Sequence, residues 1–293
     1  MERYRGRFAP SPTGPLHFGS LVAAAGSYLE ARSRSGAWLV RIDDLDPPRA
    51  VPGAADDILR TLEACGMEWD GAVVYQSRRT DAYREALQSL RKQGLVYACS
   101  CSRREIADSA PPGMEGYVYP GTCRSKKLSD GPGRALRVRT GGASIEFDDE
   151  VQGRVTQDLE RDSGDFVLRR ADGVYAYQLA AAADDAEQRI THIVRGADLL
   201  VSTPRQIYLQ RLLGLPTPRY AHLPVAVNAQ GEKLSKQTHA APVDRANLLP
   251  ALTLALEFLG HKPPALDTAD LWKWAIEHWD LKRVPRSVSE PAP

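Results

Sequence analysis

Apolar residues fall in short runs separated by stretches of strong helix formers. Arg5 to Ala9 is a short strand candidate, Leu21 to Arg34 is rich in helix formers, and Ala37 to Ile42 (AWLVRI) is an apolar run of strand length. Gly36 sits where a C-terminal helix cap belongs. A strand–helix–strand opening of this kind predicts a parallel α/β sheet with helices on its faces. Two more helices are predicted, from about Gly53 to Cys65, stopped at Gly66, and from Asp81 to Gln93, stopped at Gly94.

The texture changes after Val96. Residues 97 to about 160 carry three cysteines, many Gly, Pro and Ser, and short alternating segments such as ALRVRT and SIEFDD, which predict an insertion of loops and small strands. The α/β alternation resumes with DFVLRR, VYAYQLA and ITHIVRG, and a helix capped by Ser202-Thr203-Pro204 ends at Gly214. Beyond about Ala240 the pattern is helical, over Asp244 to Leu259 and Asp267 to Trp279, and the final SVSEPAP is expected to fray. The predicted organisation is a catalytic unit in two halves, 1–96 and 165–240, interrupted by the insertion 97–164 and followed by a helical region 241–293.

With 293 residues, 43% of them hydrophobic, a buried core is ample; charged residues make up 26% and balance to +1. Nothing global announces a polyanion partner, so any nucleic-acid surface must be local. No run of 18 apolar residues suggests a membrane span, and no apolar stretch follows the N-terminal arginines as a secretory signal would, so the expected compartment is the cytoplasm. In a reducing compartment clustered cysteines suggest metal before disulfide. Cys99, Cys101 and Cys123 fit a structural zinc site that wants a fourth ligand, and no histidine lies between residues 18 and 191; three reduced structural cysteines are the alternative. Cys65, at a helix end, reads as a small core residue, and Trp272, Trp274 and Trp279 read as packing.

Two segments carry the candidate chemistry. The loop from Arg7 to Ser20 leaves a strand and enters a helix, so its backbone N–H groups and the helix dipole favour an anion above the strand end. His17 can donate to a phosphate oxygen there, and Gly19 lets a flat group approach the backbone. Far along the chain, Lys233 and Lys236 lie three residues apart after a turn at Asn228 to Gly231, where two ammonium groups could offset charge as pyrophosphate departs. Each segment alone is compatible with a solvated loop. Arg7 and Arg195 stand at ends of predicted strands, where open α/β sheets bind ligands.

Taken together, about 220 residues apart, His17-Phe18-Gly19-Ser20 and Lys233-Leu234-Ser235-Lys236-Gln237 resemble the paired signatures of class I aminoacyl-tRNA synthetases. The Phe-Ala-Pro-Ser-Pro-Thr-Gly run from Phe8 to Gly14 is closest to the glutamate group, and the short relatives with the HFGS signature are the glutamyl-Q tRNA(Asp) synthetases. The resemblance implies a Rossmann-like α/β sheet with an inserted zinc-bearing, acceptor-binding-type subdomain and a short helical C-terminal part. With only about 50 residues after the lysine motif, no anticodon-binding domain is expected. It implies catalytic roles for His17, Lys233 and Lys236, and ATP contacts from His17, Gly19, Ser20 and Lys236, with Mg²⁺ accompanying the ATP. Glutamate contacts are implied for Arg7, Phe8, Ala9, Pro10, Ser11, Asp43, Tyr177 and Arg195. Tyr119 is implied as the fourth ligand of one structural zinc per chain, from the Cys-x-Cys … Tyr-x-x-x-Cys layout that these short relatives share. Two positions depart from the pattern: Ser20 replaces the usual second histidine, and Asp43 stands where glutamyl enzymes usually have Glu.

The implied reaction is activation of L-glutamate by ATP and transfer to queuosine in the anticodon loop of tRNA(Asp), by a monomer with no membrane attachment. Competing readings are a variant that charges a tRNA 3′ end, a catalytically inactive RNA-binding regulator, and a nucleotidyltransferase unrelated to RNA.

Overall fold

The structure, a computed structural model, describes residues 3–114, 116–228, 230–233 and 241–292. The opening unit forms where the sequence predicts it, with β1 (Arg5–Phe8), α1 (Phe18–Ser33), β2 (Ala37–Ile42) and α2 (Ala54–Ala64), then a short strand not read from the sequence, β3 (Val74–Tyr75), and the expected α3 (Thr80–Lys92). The three strands are parallel neighbours, with Arg5 opposite Ala37 and Arg41 opposite Val74. Next come β4 (Val96–Cys99), β5 (Ala135–Val138), β6 (Ser144–Asp149), β7 (Gly153–Asp158) and β8 (Val167–Arg169). β5 is the centre of an antiparallel sheet with β4 and β8, and β6 and β7 form a hairpin. The second half supplies α4 (Tyr177–Glu187), β9 (His192–Gly196), α5 (Thr203–Leu213) and β10 (Arg219–Leu223).

β9 and β10 pair in parallel, and β6 joins β10 where Asp149 meets Tyr220. The two sheet halves meet beside β1: the Thr191 N–H donates to the Arg5 carbonyl at 2.9 Å, and the Arg5 N–H donates to Thr191 Oγ1 at 2.9 Å. The lateral order is therefore β3-β2-β1-β9-β10, and it reverses direction between β1 and β9. Connections leave those two strands toward opposite faces, so a crevice opens above their C-terminal ends.

Helices cover both faces, and the two-residue period of a strand sorts side chains between them. Trp38, Val40 and Ile42 of β2 join the core with α1 and α2, whereas Leu39 joins the core with α3, α4 and α5. β1 sends Phe8, β9 sends Val194, and β10 sends Ala221 and Leu223 to the first core; Ile193 and Tyr220 go to the second. By the same alternation Arg7, Arg41, Arg195 and His222 all belong to the α3/α4/α5 face. The chain closes with β11 (Val225–Val227), α6 (Leu248–Phe258), α7 (Thr268–His278) and β12 (Ser289–Pro291). Trp272 of α7 is buried, packs edge-on against Tyr28 at 5.1 Å and donates to the Cys65 carbonyl at 2.6 Å. Cys65 is fully buried, as expected of a small core residue.

Three local expectations are corrected. Ser35, not Gly36, takes the left-handed conformation after α1 (φ 50°), and Gly36 is needed for a different reason. A Cβ at Gly36 would stand 2.7 Å from the Tyr4 Cβ and 2.8 Å from the Tyr4 carbonyl oxygen, where the chain turns beside β1. The helix expected from Asp244 begins at Leu248, because Asp244 closes a turn by accepting from the Ala246 N–H at 2.9 Å. The tail expected to fray instead adds β12 in parallel to β11: the Val225 N–H donates to the Val288 carbonyl at 3.0 Å and the Ala292 N–H to the Val227 carbonyl at 2.8 Å. Pro291 can sit in this strand because its neighbours supply the donors.

No helix among the described residues is long and apolar enough to cross a membrane. Trp272→Ala should cost about 3–5 kcal/mol of stability, since it empties the contact between α7 and α1 and orphans the Cys65 carbonyl. Urea unfolding measures this; a loss under about 1 kcal/mol would show that the C-terminal helices are not part of the cooperative unit.

Candidate active site and metal knuckle

A cleft of about 810 Å³ opens at the reversal between β1 and β9. Its walls include Arg7, Phe8, Ala9, Pro10 and Ser11 from the end of β1, His17, Gly19 and Ser20 from the start of α1, and Asp43 just past β2. Tyr177 at the start of α4, Arg195 on β9 and Lys233 complete this set. Every described residue expected to meet glutamate or ATP thus lines one cavity. Lys236, with Ser235 and Gln237 of the same motif, lies outside the described residues.

His17 caps α1. Its Nδ1 accepts from the Ser20 N–H at 3.4 Å, and Nε2 lies 3.0 Å from Ser20 Oγ, so Nε2 carries the proton and donates in this arrangement. Ser20, where a second histidine was missing, therefore holds the first. The chain returning from the lysine motif docks here: His17 forms an antiparallel bridge with Pro242, and the Val243 N–H donates to the Leu16 carbonyl at 2.9 Å. The other side of that loop is tied by a bridge between Val227 and Lys233. Lys233 Nζ reaches Asp198 Oδ2 at 2.5 Å, both groups being partly exposed.

The glutamate side is built on a buried chain of charges. Arg7 donates through Nε to Asp185 Oδ1 at 3.1 Å and through Nη2 to Oδ2 at 3.2 Å. Arg41 donates through Nη1 to the same Asp185 Oδ1 at 2.6 Å and through Nε to Asp43 Oδ1 at 2.8 Å. Burial pushes Asp185 up, but the guanidiniums of Arg7 and Arg41 outweigh it and hold the carboxyl down at about 2. At Asp43 burial wins over Arg41, and the carboxyl is pushed up to about 6. Arg7 is thus already neutralised by a carboxylate from α4.

Arg195 is held differently. Its Nε donates to His222 Nε2 at 3.1 Å, and Nη1 to Tyr177 Oη at 3.3 Å. Nη2 donates to Thr203 Oγ1 at 2.7 Å and Gln206 Oε1 at 2.9 Å. None of these acceptors is a carboxylate. The guanidinium, on a residue only 5% exposed, keeps its charge available to the cleft. Asp185, His222 and Gln178, whose Oε1 is buried without a hydrogen-bond partner, escape motif reading. The adjacent Asp184-Asp185 pair after four alanines in α4 was the one available signal, because carboxylates on an apolar helix demand buried partners.

The cysteine cluster is brought together as expected. The thiols of Cys99, Cys101 and Cys123 lie within 4.8 Å of one another, with 3.5 Å between Cys101 Sγ and Cys123 Sγ. Tyr119 Oη lies 3.3 Å from Cys99 Sγ and 3.7 Å from Cys101 Sγ, and accepts from the Cys123 N–H at 2.9 Å. Burial and the neighbouring thiols push this phenol far up, so without a cation it stays a donor. Three sulfurs at this separation fit a tetrahedral ion with metal–sulfur bonds of about 2.3 Å. Gly164 is required beneath the knuckle: at φ 65° it bridges Tyr119, and a Cβ would fall 2.5 Å from the Tyr119 carbonyl oxygen.

A family model for tRNA synthetases class I (E and Q), catalytic domain, matches residues 3–255. The chain is 60% identical over 289 residues to a glutamyl-Q tRNA(Asp) synthetase of Dechloromonas aromatica (strain RCB), covering 97% of this chain and 96% of that relative. It is 60% identical over 286 residues to the glutamyl-Q tRNA(Asp) synthetase of Chromobacterium violaceum, covering 96% and 95%. Its fold matches the crystal structure of a glutamate tRNA ligase from Elizabethkingia meningosepticum in complex with its amino acid, with a TM-score of 0.83 and 26% identity. That match spans 100% of this chain and 67% of the ligase.

Asp185→Asn should lower stability at pH 7 by about 3 kcal/mol or more, because two buried guanidiniums lose a shared charge. Asp185 titrates at about 2 when folded and at about 3.9 when unfolded, so its contribution is present above about pH 4 and disappears as pH falls through about 2. Denaturation at pH 7 and near pH 2 tests this; an equal gap between the two proteins at both pH values would contradict the charge assignment.

Proposed function

The chain belongs to the class I tRNA synthetases of the glutamate and glutamine type, among relatives named glutamyl-Q tRNA(Asp) synthetase. From that premise we propose that it activates glutamate with ATP and transfers it to queuosine in the anticodon loop of tRNA(Asp). The observation that carries the chemistry is the convergence of His17, Lys233, Arg7 and Arg195 on one cleft at the sheet reversal. The acceptor rests on the relatives, which are matched over nearly their whole length.

In the first step an α-carboxylate oxygen of glutamate attacks the α-phosphorus of ATP, and the bond to pyrophosphate breaks. His17, capping α1, donates to a phosphate oxygen while the backbone around Gly19 admits the nucleotide. Lys233 leaves Asp198 for the phosphates, and Lys236 joins it. Mg²⁺ bound with ATP would add charge neutralisation on the phosphates. Arg195 takes the side-chain carboxylate with the Tyr177 hydroxyl, Asp43 takes the ammonium, and Arg7 with Phe8, Ala9, Pro10 and Ser11 shapes the floor. In the second step a hydroxyl of the queuosine cyclopentenediol attacks the anhydride carbonyl. AMP leaves with the bonding pair, and the hydroxyl proton passes to solvent. Cys99, Cys101, Cys123 and Tyr119 would hold one structural zinc, which lowers the phenol's proton affinity when bound. We divide the chain into a catalytic unit, 1–96 with 165–240, an inserted knuckle subdomain, 97–164, and a helical region, 241–293.

Incubation with ATP, labelled glutamate and tRNA(Asp) with or without queuosine tests the acceptor. Label should enter only the queuosine-bearing tRNA and, after ribonuclease digestion, stay with the anticodon-loop fragment and not with the 3′-terminal adenosine. Label on tRNA lacking queuosine would instead favour 3′-end charging. Lys236→Ala should lower adenylate formation by orders of magnitude while glutamate still binds in titration; near-normal pyrophosphate exchange would remove that lysine from the mechanism. Tyr119→Phe should weaken zinc retention by about tenfold or more, read by competition with a chromogenic chelator, and unchanged retention would leave the knuckle with three protein ligands.

A further inference from the structure

Arg195 is oriented from behind by a buried pair. His222 is fully buried, and its Nε2 accepts from Arg195 Nε at 3.1 Å. On the far side His222 Nδ1 lies 2.6 Å from Asp149 Oδ2. A ring that accepts through Nε2 must carry its proton on Nδ1, so the hydrogen bond to Asp149 selects the tautomer that Arg195 needs. Asp149 is itself fixed: its Oδ1 accepts from the backbone N–H groups of Val151 at 3.0 Å, Gln152 at 2.8 Å and His222 at 3.1 Å. Those donors lie in the turn between β6 and β7 and on β10, so the hairpin that extends the sheet edge also anchors the ring.

A carboxylate placed directly on Arg195, as Asp185 is placed on Arg7, would fix the guanidinium equally well. It would also cancel the charge that a substrate carboxylate must meet. A neutral imidazole accepts the hydrogen bond without that cancellation and keeps the Asp149 charge one ring away. We propose that His222, held by Asp149, is a positioning and specificity-determining residue that presents Arg195 as an uncompensated cation, and so favours a side-chain carboxylate over the corresponding amide. This rests on the reading that Arg195 receives the glutamate side chain.

The test compares His222→Asn and His222→Gln, both polar, in the full chain. Asn can keep the bond to Asp149 but cannot reach Arg195, whereas the longer Gln can present its carbonyl to Arg195 Nε. Calorimetric titrations give the affinities for glutamate, glutamine and ATP, with Arg195→Ala as a reference and thermal midpoints as a check on folding. The expected result is about a tenfold loss of glutamate affinity in His222→Asn, a smaller glutamate-to-glutamine ratio, and ATP affinity within about twofold of the parent. His222→Gln should recover most of the loss. If Arg195→Ala weakens glutamate but His222→Asn does not, the positioning role is overturned while the pocket assignment stands. If Asn and Gln lose glutamate and ATP affinity alike, His222 is structural only, and the proposal fails. If Arg195→Ala leaves glutamate affinity intact, the pocket assignment fails and takes the positioning role with it.

Discussion

Three guanidinium groups on one closed face of a parallel sheet are the constraint around which this site is organised. Arg7, Arg41 and Arg195 point from neighbouring strands toward α4 and α5, and each is nearly or wholly buried. A cation removed from water is tolerated only when its donors are satisfied and its charge is answered. Arg7 and Arg41 meet both conditions within the protein, whereas Arg195 meets only the first and leaves the second to a ligand. Arg7 and Arg41 share Asp185, and Arg41 also holds Asp43, so their charges close into an alternating chain. Arg195 is satisfied by a ring nitrogen, two hydroxyls and an amide, which leaves its charge unanswered. One end of the cleft therefore favours a carboxylate, and the Asp43 end favours an ammonium. A zwitterionic amino acid with a second carboxylate has the complementary pattern.

The division of labour extends to rigidity. The contacts of Arg195 with His222, Thr203 and Gln206 are buried, and they come from strand and helix residues packed on the sheet. Lys233, by contrast, pairs with Asp198 at a partly exposed site, where such a pair is worth about 1 kcal/mol or less. On the proposed assignment a triphosphate, which carries far more charge than one carboxylate, would take Lys233 from Asp198. On that assignment the amino-acid end is preorganised and the phosphate end adjustable, which suits a reaction whose charge moves only on the phosphate side.

Much of this was legible in the chain itself, for identifiable reasons. The β1–α1–β2 opening follows from apolar runs and helix formers, and His17, Lys233, Arg7 and Arg195 were found by motif, so their meeting in one cleft agrees with the spacing. What the sequence did not reveal is which distant group answers a buried charge. Asp185 lies 178 residues from Arg7, and the strand period says only that Arg7 faces a given side, not what waits there. His222 and Asp149 were hidden for the same reason, one in an ordinary-looking strand and the other in a segment read as insertion. The tail departs from expectation because fraying follows from its place at the chain end, whereas the edge of β11 offers backbone partners that position alone does not report.

That last strand bears on how the lysine motif is delivered. β11 leads directly into the loop, and β12 locks its outer edge through backbone hydrogen bonds at both ends. On the far side of the loop, Pro242 and Val243 are bonded to His17 and Leu16 at the mouth of α1. Both ends of the segment are thereby fixed to elements that line the same cleft, one on each side of the sheet reversal. On the proposed assignment, the bridge that ties Lys233 to Val227 lowers the entropy lost when Lys233 engages the phosphates. On that assignment the pairing of residues near position 290 with β11 supports Lys233 through backbone hydrogen bonds alone, with no contact of its own to substrate.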